Sequence, residues 1–367
     1  MTTQEMENVK EAKLEFDAEC PSCSASIEFN PATGKLTCPY CGFETEIAKP
    51  EKEQEIVAQE MDFAKAEERG NFNWGVEKKT VVCKACAAET IYDALQVADS
   101  CPYCGSNQVM EASASNTLAP NGVCTFEVTD KQAGENFQKW IKSKWFTPKA
   151  AKISAKPDAF KGVYLPYWTF DTKTSSRYSA SYGKHRTVTD KDGNQRTVTD
   201  WYTTSGFYQE FIDDYLISAT TRYDRQMMRK IEPFNLLNNK SYKPEYVAGF
   251  LSERYSIGLQ DGWNQAKREI HDHLEAEITA KIRIEKFADV VSNLRFSTTH
   301  DDITYKYLML PIWLSSFRYK EKIYRFMVNG QTGRVGGDAP ISPLRVTIAV
   351  LVTLMIAAVV WDFFMNE

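Results

Sequence analysis

Eight cysteines fall into two copies of one spacing. Cys20, Cys23, Cys38 and Cys41 make two Cys-x-x-Cys pairs separated by 14 residues, and Cys83, Cys86, Cys101 and Cys104 repeat that arrangement with the same separation. Two thiolates on a tight knuckle supply half of a tetrahedral shell, and a short β-hairpin returns a second knuckle to complete it. Each set therefore reads as a tetrathiolate zinc ribbon, giving two structural Zn2+ in all. Both second knuckles are written CPYCG: Pro39 and Pro102 stiffen the turn, while Gly42 and Gly105 can take the positive φ that aims backbone N–H groups at the sulfurs. Tetrathiolate sites also accept iron, whereas a thioredoxin-like redox pair needs a βαβ setting that neither copy has. Structural disulfides would need an oxidising compartment, and the first residues, MTTQEMENVKEAKLEFD, are acidic and lack the apolar core of a signal peptide. A reducing, cytosolic setting is expected. Cys124, in VCTFEV, reads as a small buried residue on a strand.

The remaining chemistry-bearing residues do not assemble into a catalytic set. His271 and His273 share a predicted helix but stand about 200° apart on it, so they cannot chelate one metal from one face. His185 sits beside a predicted hairpin and His300 in a polar THDD turn; both read as solvated or structural. The pairs Asp213 and Asp214, and Asp301 and Asp302, read as turn acids or caps. ATP-driven translocation requires a G-x4-G-K-[S/T] loop. Here the Gly-Lys pairs are Gly34-Lys35 and Gly183-Lys184, followed by Leu36 and His185, without the hydroxyl that would bind Mg2+. GRVGG, Gly333 to Gly337, reads as a turn and flexible linker. The chain is expected not to be an enzyme.

Charge bears on nucleic acid. Residues 1 to 105 carry 10 Lys+Arg against 20 Asp+Glu, a net of −10, while the rest, 34 against 29, nets +5, giving −5 for the chain. A ribbon that grips phosphates presents a basic face, and this half is acidic. DNA or RNA binding is disfavoured, and protein partners are expected instead.

The elements that must carry these residues follow from periodicity. Glu51 to Glu68 is rich in helix formers with a weak apolar stripe and reads as a solvated helical spacer. Thr129 or Asp130 can cap a helix bearing Phe137, Trp140, Ile141 and Trp145, stopped by Pro148. From Gln260 to Ile284, Trp263, Ala266, Ile270, Leu274, Ile278 and Ile282 recur every three or four residues, predicting a second, longer helix. YLPYWTFD, TSSRYSASYG, GFYQEFI, DITYKYLMLPIW and KIYRFMVNG read as strands. RTVTD stands at 186 to 190 and again at 196 to 200 around KDGNQ, predicting a projecting hairpin. LPYW at 165 to 168 is echoed by LPIW at 310 to 313, which suggests a duplicated β-unit.

From Val346 to Phe364 the chain reads VTIAVLVTLMIAAVVWDFF, with Asp362 its single charge. At about 1.5 Å per residue this covers roughly 28 Å, close to a bilayer's hydrocarbon thickness. The alternative, a buried core helix, fits a run of this length and uniformity less well. Arg334 and Arg345 precede it, so the positive-inside rule keeps the main domain cytoplasmic and makes the protein a tail-anchored, single-pass protein of the cell membrane. KWIKSKWFTPKAAK, Lys139 to Lys152, interleaves lysines with aromatics as an interfacial helix would, although a core helix with solvated lysines accounts for it too. The expected fold class is α+β: ribbon 1 over 1–48, a helical spacer over 49–72, ribbon 2 over 73–112, an α+β body over 113–340, a linker over 341–345 and a transmembrane helix over 346–364.

The order of two CxxC ribbons, YLPYWTFD, RTVTDKDGNQRTVTDWY, YVAGFLSERYSIGLQDGW, TYKYLMLPIWLSSFRY, YRFMVNGQTGRVGGDAPIS and a last apolar segment resembles bacterial membrane-anchored proteins with a TFIIB-type zinc ribbon, often labelled primosomal protein N′ or superfamily II helicase relatives. The resemblance runs through nearly the whole chain. It implies a membrane adaptor, in some settings linked with SPFH or phage-shock-type membrane-stress proteins. The expectation is a cytoplasm-facing adaptor whose two zinc ribbons, on a helical arm, present an acidic surface that docks protein partners; a nucleic-acid-associated zinc protein and a hydrolase with a pocket in the body are the alternatives.

Overall fold

Two small antiparallel units come first in the computed structural model, which describes residues 19–48, 57–66, 78–83, 89–93, 109–112, 118–155, 157, 159–189, 191 and 193–365. Strands β1 (Glu28–Asn30), β2 (Lys35–Thr37) and β3 (Glu44–Thr45) form one sheet in that order. After β4 (Met61–Asp62), strands β5 (Lys78–Cys83), β6 (Glu89–Asp93) and β7 (Val109–Ala112) pair antiparallel with β5 in the middle and continue into the large sheet of the body.

The segment read as a solvated helical spacer is not helical where it is described. Residues 61–62 form β4, which pairs with a strand of the body, and Phe63–Lys65 make a single 3-10 turn. Phe63 explains the difference: its ring lies 5.9 Å from Trp263 and 6.3 Å from Phe170, so packing onto the body prevails over helix propensity.

The body is built on strands far longer than the usual three to ten residues. It opens with β8 (Gly122–Val123), α1 (Asp130–Ser143) and α2 (Lys149–Ser154). A capping box starts α1: the Gln132 N–H donates to Thr129 Oγ1 at 3.3 Å, and the Thr129 N–H donates to Gln132 Oε1 at 2.8 Å. Next come β9 (Lys161–Thr189), β10 (Gln195–Ser218), α3 (Arg225–Arg229), β11 (Lys240–Ser241), β12 (Leu251–Glu253), α4 (Leu259–Lys286) and β13 (Val290–Tyr319). β14 (Lys322–Asn329), β15 (Val335–Gly337) and α5 (Pro343–Met365) complete the fold, which is α+β. TSSRYSASYG continues YLPYWTFD without a break, and β9 lies antiparallel between β10 and β13.

Residues 163–172 of β9 and 305–314 of β13 are buried without interruption, as expected of strands covered on both faces. Trp168, Phe170, Tyr305 and Trp313 fill the core on one side, and Leu165, Tyr167, Leu310 and Ile312 fill it on the other. The two LP-x-W motifs lie side by side, with Leu165 opposite Leu310. Beyond Thr172 the strands leave the body as a three-stranded arm, covered on one face by α4. The apolar row Ala266, Ile270, Leu274, Ile278 and Ile282 steps by four residues, so it drifts about 40° per step and winds around the helix, following the twist of the ribbon. At the tip, past Gly183, the β9–β10 hairpin projects alone with Thr187 opposite Thr197, as the repeated RTVTD motif predicts.

The adjacent polar residues read as turns are bulges inside strands. Register shifts occur between Ile212 and Tyr215 on β10 and between Ser292/Arg295 and Asp301/Thr304 on β13. Asp214, Asn293 and Asp302 take φ of 47°, 52° and 51° there, a conformation that Asn and Asp tolerate best among non-glycine residues. His300 accordingly lies in β13, edge-on to Trp263 with ring centroids 5.3 Å apart, and not in a polar turn.

Candidate metal centre

The first ribbon brings its four cysteines together. All four Sγ atoms lie within 4.8 Å of one another, with Cys20 and Cys41 3.6 Å apart and Cys23 and Cys38 also 3.6 Å apart. A tetrahedral zinc with Zn–S bonds of about 2.3 Å sets its sulfurs about 3.8 Å apart, so the donor set and its spacing fit the ion. The two knuckles share one backbone design. Ser24 N–H donates to Cys20 O at 2.8 Å and Gly42 N–H to Cys38 O at 3.0 Å, with φ of 56° at Ser24 and 74° at Gly42. Gly42 takes the positive φ expected of it; Ser24 adopts the same conformation in the first knuckle.

Cys20 and Cys38 are buried among Ile27, Phe29 and Leu36, while Cys23 and Cys41 reach the surface. Hydrogen bonds from the Cys41 and Tyr40 N–H groups draw Cys38 down to about 7. The Phe43 N–H also pulls on Cys41, but desolvation and the hydrogen bonds that its own S–H donates to the other three cysteines push that one up to about 12. A divalent ion would deprotonate all four, so the site favours metal increasingly as pH rises.

Of the second set, the backbone at Cys83 is described, at the end of β5, while Cys86, Cys101 and Cys104 lie outside the described residues. The surrounding strands keep the first ribbon's register. Glu19 bridges Ser26 on either side of the Cys20 knuckle, and Val82 pairs with Glu89 at the corresponding offsets from Cys83.

One segment clamps both the first ribbon and the β5–β7 strands to the body. Phe29 N–H donates to Ala248 O at 3.0 Å, and the Phe29 and Tyr246 rings meet edge to face at 6.3 Å. Gly249, at φ 81°, lets Glu28 approach so closely that a Cβ there would sit 2.7 Å from Glu28 Cβ. Three residues on, Ser252 and Glu253 of β12 pair with Ile91 and Thr90 of β6. YVAGFLSERY thus docks both the first ribbon and the β5–β7 strands, a role that its letters alone do not reveal.

Sequence reasoning also missed a charged neck between body and arm. Lys306 Nζ, almost fully buried, stands 2.7 Å from Asp214 Oδ1, 3.4 Å from Glu60 Oε1 and 4.0 Å from Asp171 Oδ2. Asp171 accepts hydrogen bonds from the Asp214 N–H and, at 3.2 Å, from Thr304 Oγ1. Burial pushes the Asp171 carboxyl up to about 6, against the pull of the Asp214 N–H and Lys306. Lys306 is held above its ordinary value, because its bond to Asp214 and the neighbouring carboxylates outweigh its burial. A lone lysine within the apolar run TYKYLMLPIW is the signal that could have found it.

The other candidates lie apart. His271 stacks on Phe296 at 4.4 Å, His273 Nε2 is 2.9 Å from Glu210 Oε1, and His185 Nδ1 is 2.9 Å from Thr199 Oγ1. Cys124 is fully buried, and burial pushes its thiol up to about 12, in keeping with a structural role.

No family model matches the chain, and no solved structure matches it. Over 333 residues it is 28% identical to YdjG of Bacillus subtilis (strain 168), described as an uncharacterized protein, covering 88% of this chain and 90% of that one. The similarity extends along nearly the full length of both proteins, so it concerns the whole architecture and not one module.

Proposed function

We propose that this protein is a tail-anchored, cytoplasm-facing membrane adaptor that docks protein partners on its arm, with two structural Zn2+ holding the ribbons. The observation that carries the reading is the outward face of β10. Tyr208, Glu210 and Ile212 turn toward α4 and the core, so Trp201, Phe207 and Phe211, of opposite parity, stand on the other face, where they are 53%, 64% and 57% exposed. Thr203, Ser205 and Gln209 separate them, and Arg177 lies over the Phe207 ring at 4.9 Å. Exposed aromatics beside an arginine on a rigid ribbon make a protein-binding surface, and among the described residues β10 has no strand on its far edge. Ribbon 1 is packed against the body, so the docking surface falls to the arm instead of to an acidic ribbon at the end of a helical spacer.

Membrane attachment is assigned to α5. Pro343–Trp361 is long and apolar enough to cross a bilayer, and none of it is buried. The resemblance to membrane-anchored TFIIB-type ribbon proteins agrees with this, and it offers SPFH or phage-shock-type proteins as first candidates for the partner. The test is crosslinking of the full chain in membranes. Phe207→Glu with Phe211→Glu should abolish the crosslinked partner while leaving the protein in the membrane fraction; an unchanged crosslink profile would refute docking on the arm. Deleting residues 343 to 365 should release the chain from membranes, and a truncated chain that still sediments with them would refute the anchor.

A further inference from the structure

The turn after α1 is joined to the start of α5. Ser342 N–H donates to Phe146 O at 2.9 Å, and Arg345 Nη1 donates to the carbonyls of Trp145 and, at 2.9 Å, Thr147. Whatever surface receives α5 therefore also receives this turn. Trp145 and Phe146 are 58% and 42% exposed, and Ile341 and Leu344 beside them are 69% and 70% exposed. Aromatic residues with a polar edge sit well at the headgroup level, so an apolar rim around the foot of an apolar helix is the composition of a membrane-facing surface.

Next to that rim opens a cleft of about 540 Å³, walled by Trp140 of α1, Lys144 just after it, Lys230, and the turn from Gly333 through Arg334 to Gly337. Glycines bring its walls together: a Cβ on Gly333 would lie 2.3 Å from Asn136 Nδ2, and one on Gly336 would lie 2.7 Å from Lys230 Cβ. Three cations line the cleft, and among the described residues no carboxylate does. It runs into a second cleft of about 480 Å³, which shares Trp140, Lys144 and Gly337 and extends to Phe146, Lys322 and Ile341, with Asp338 as its one acid. Three like charges around one concavity repel each other in the absence of a counter-charge, and an anion with several oxygens relieves that repulsion. With α5 in a bilayer, these contacts would hold the cleft close to headgroup depth.

We propose that the cleft between α1, Lys230 and the Gly333 to Gly337 turn binds the phosphate headgroup of an anionic phospholipid in the leaflet that receives α5. This rests on the reading of α5 as a membrane anchor. Lys144 and Arg334 contact the phosphate oxygens, Lys230 closes the far wall, and Trp145 and Phe146 lie beside the acyl chains.

The test uses the full chain in an uncharged detergent, with dihexanoyl phosphatidylglycerol, dihexanoyl phosphatidylcholine and inorganic phosphate as probes and the melting temperature as readout, since a ligand selective for the folded state raises it with concentration. Phosphatidylglycerol should act at a concentration at least tenfold lower than either other probe. Replacing Lys144, Lys230 and Arg334 together by Gln should raise that concentration tenfold or more. Replacing the two lysines by Arg, with Arg334 kept, should preserve the response and show that charge is what counts. Equal responses to the two lipids, or an undiminished response of the Gln variant, would overturn the proposal, and inorganic phosphate matching phosphatidylglycerol would overturn the lipid assignment in favour of a soluble phosphate. Alkaline washing of phosphatidylcholine vesicles carrying the full chain tests the anchor independently: a chain that washes off refutes the anchor, while the detergent titration still reports on the cleft.

Discussion

Asp171→Asn should stabilise this protein, and more so as pH rises. The carboxyl sits at the neck, buried between the bulges of β10 and β13, and its proton affinity is raised from an ordinary 3.8 to about 6. Lys306 does not bring it back down, because that ammonium is 2.7 Å from Asp214 and 4.0 Å from Asp171, and Glu60 adds a further negative charge. The folded protein binds this proton more tightly than the unfolded chain. The resulting contribution is complete below about pH 4 and is lost as pH rises through about 6. A rise of this size converts to about 3 kcal/mol of lost stability at neutral pH, of which about 1 kcal/mol is already lost at about pH 4.5. An asparagine keeps an oxygen for the Asp214 N–H and carries no charge. Its advantage over the parent should therefore grow by about 2 kcal/mol between about pH 4.5 and pH 7.5, equivalent to roughly 4–8 °C in melting temperature for a body of this size. Near-UV circular dichroism of the full chain in detergent would follow the melting of the buried aromatics, and taking the difference between variant and parent at each pH cancels the titration of the ribbon thiols. A constant or shrinking difference would refute the reasoning and make the neck an ordinary ion pair governed by Lys306. Lys306→Met should act oppositely, destabilising by about 3–5 kcal/mol, because it strands buried carboxylates without a counter-charge.

Cys38→Ser should remove the metal of ribbon 1, so elemental analysis should find one Zn2+ fewer per chain than in the parent; an unchanged content would show that these sulfurs do not share an ion. Gly249→Val places a branched side chain at φ 81° and against Glu28, a strain of about 2–4 kcal/mol, and should speed amide exchange at Phe29 by detaching the ribbon while the body stays folded. Ile278→Ala empties the fully buried contact between α4 and Tyr178 and should cost about 2–5 kcal/mol, read as faster proteolysis within the arm than within the body.

Much of this architecture was legible because local and tertiary preferences agree. The α4 stripe, the Thr129 cap and the RTVTD hairpin each state their structure in a few letters, and the cysteine spacing brings Cys20, Cys23, Cys38 and Cys41 within reach of one ion. Legibility fails where a long-range contact decides. Phe63 turns a helix-forming spacer into an extended strap because an aromatic cluster some 100 to 240 residues away along the chain receives it. Asp213-Asp214 and Asp301-Asp302 look like turn acids, and the strands run straight through them, because a positive φ at one residue is as compatible with a bulge as with a turn. The neck was hidden for the same reason: Glu60, Asp171, Asp214 and Lys306 come from four separate segments, and only the shared register of β9, β10 and β13 brings them together.

That register also separates what the two ends of the molecule can sense. β13 begins at Val290 in the arm and ends at Tyr319, beside the Lys322 and Tyr324 wall that adjoins the foot of α5. At about 3.3 Å per residue its 30 residues extend up to roughly 95 Å. With α5 in a bilayer as proposed, the field of an anionic leaflet, which decays within a Debye length of about 8–10 Å, would act on Lys144, Lys230 and Arg334 and leave Trp201, Phe207 and Phe211 in bulk solvent. A partner captured on the arm should accordingly bind with the same affinity whether the membrane is neutral or anionic. The cleft beside α5 should do the reverse, responding to lipid charge and not to the partner. The same strands support the arm and form the core, and the bulges at Asp214 and Asp302 set the angle at which the arm leaves the body.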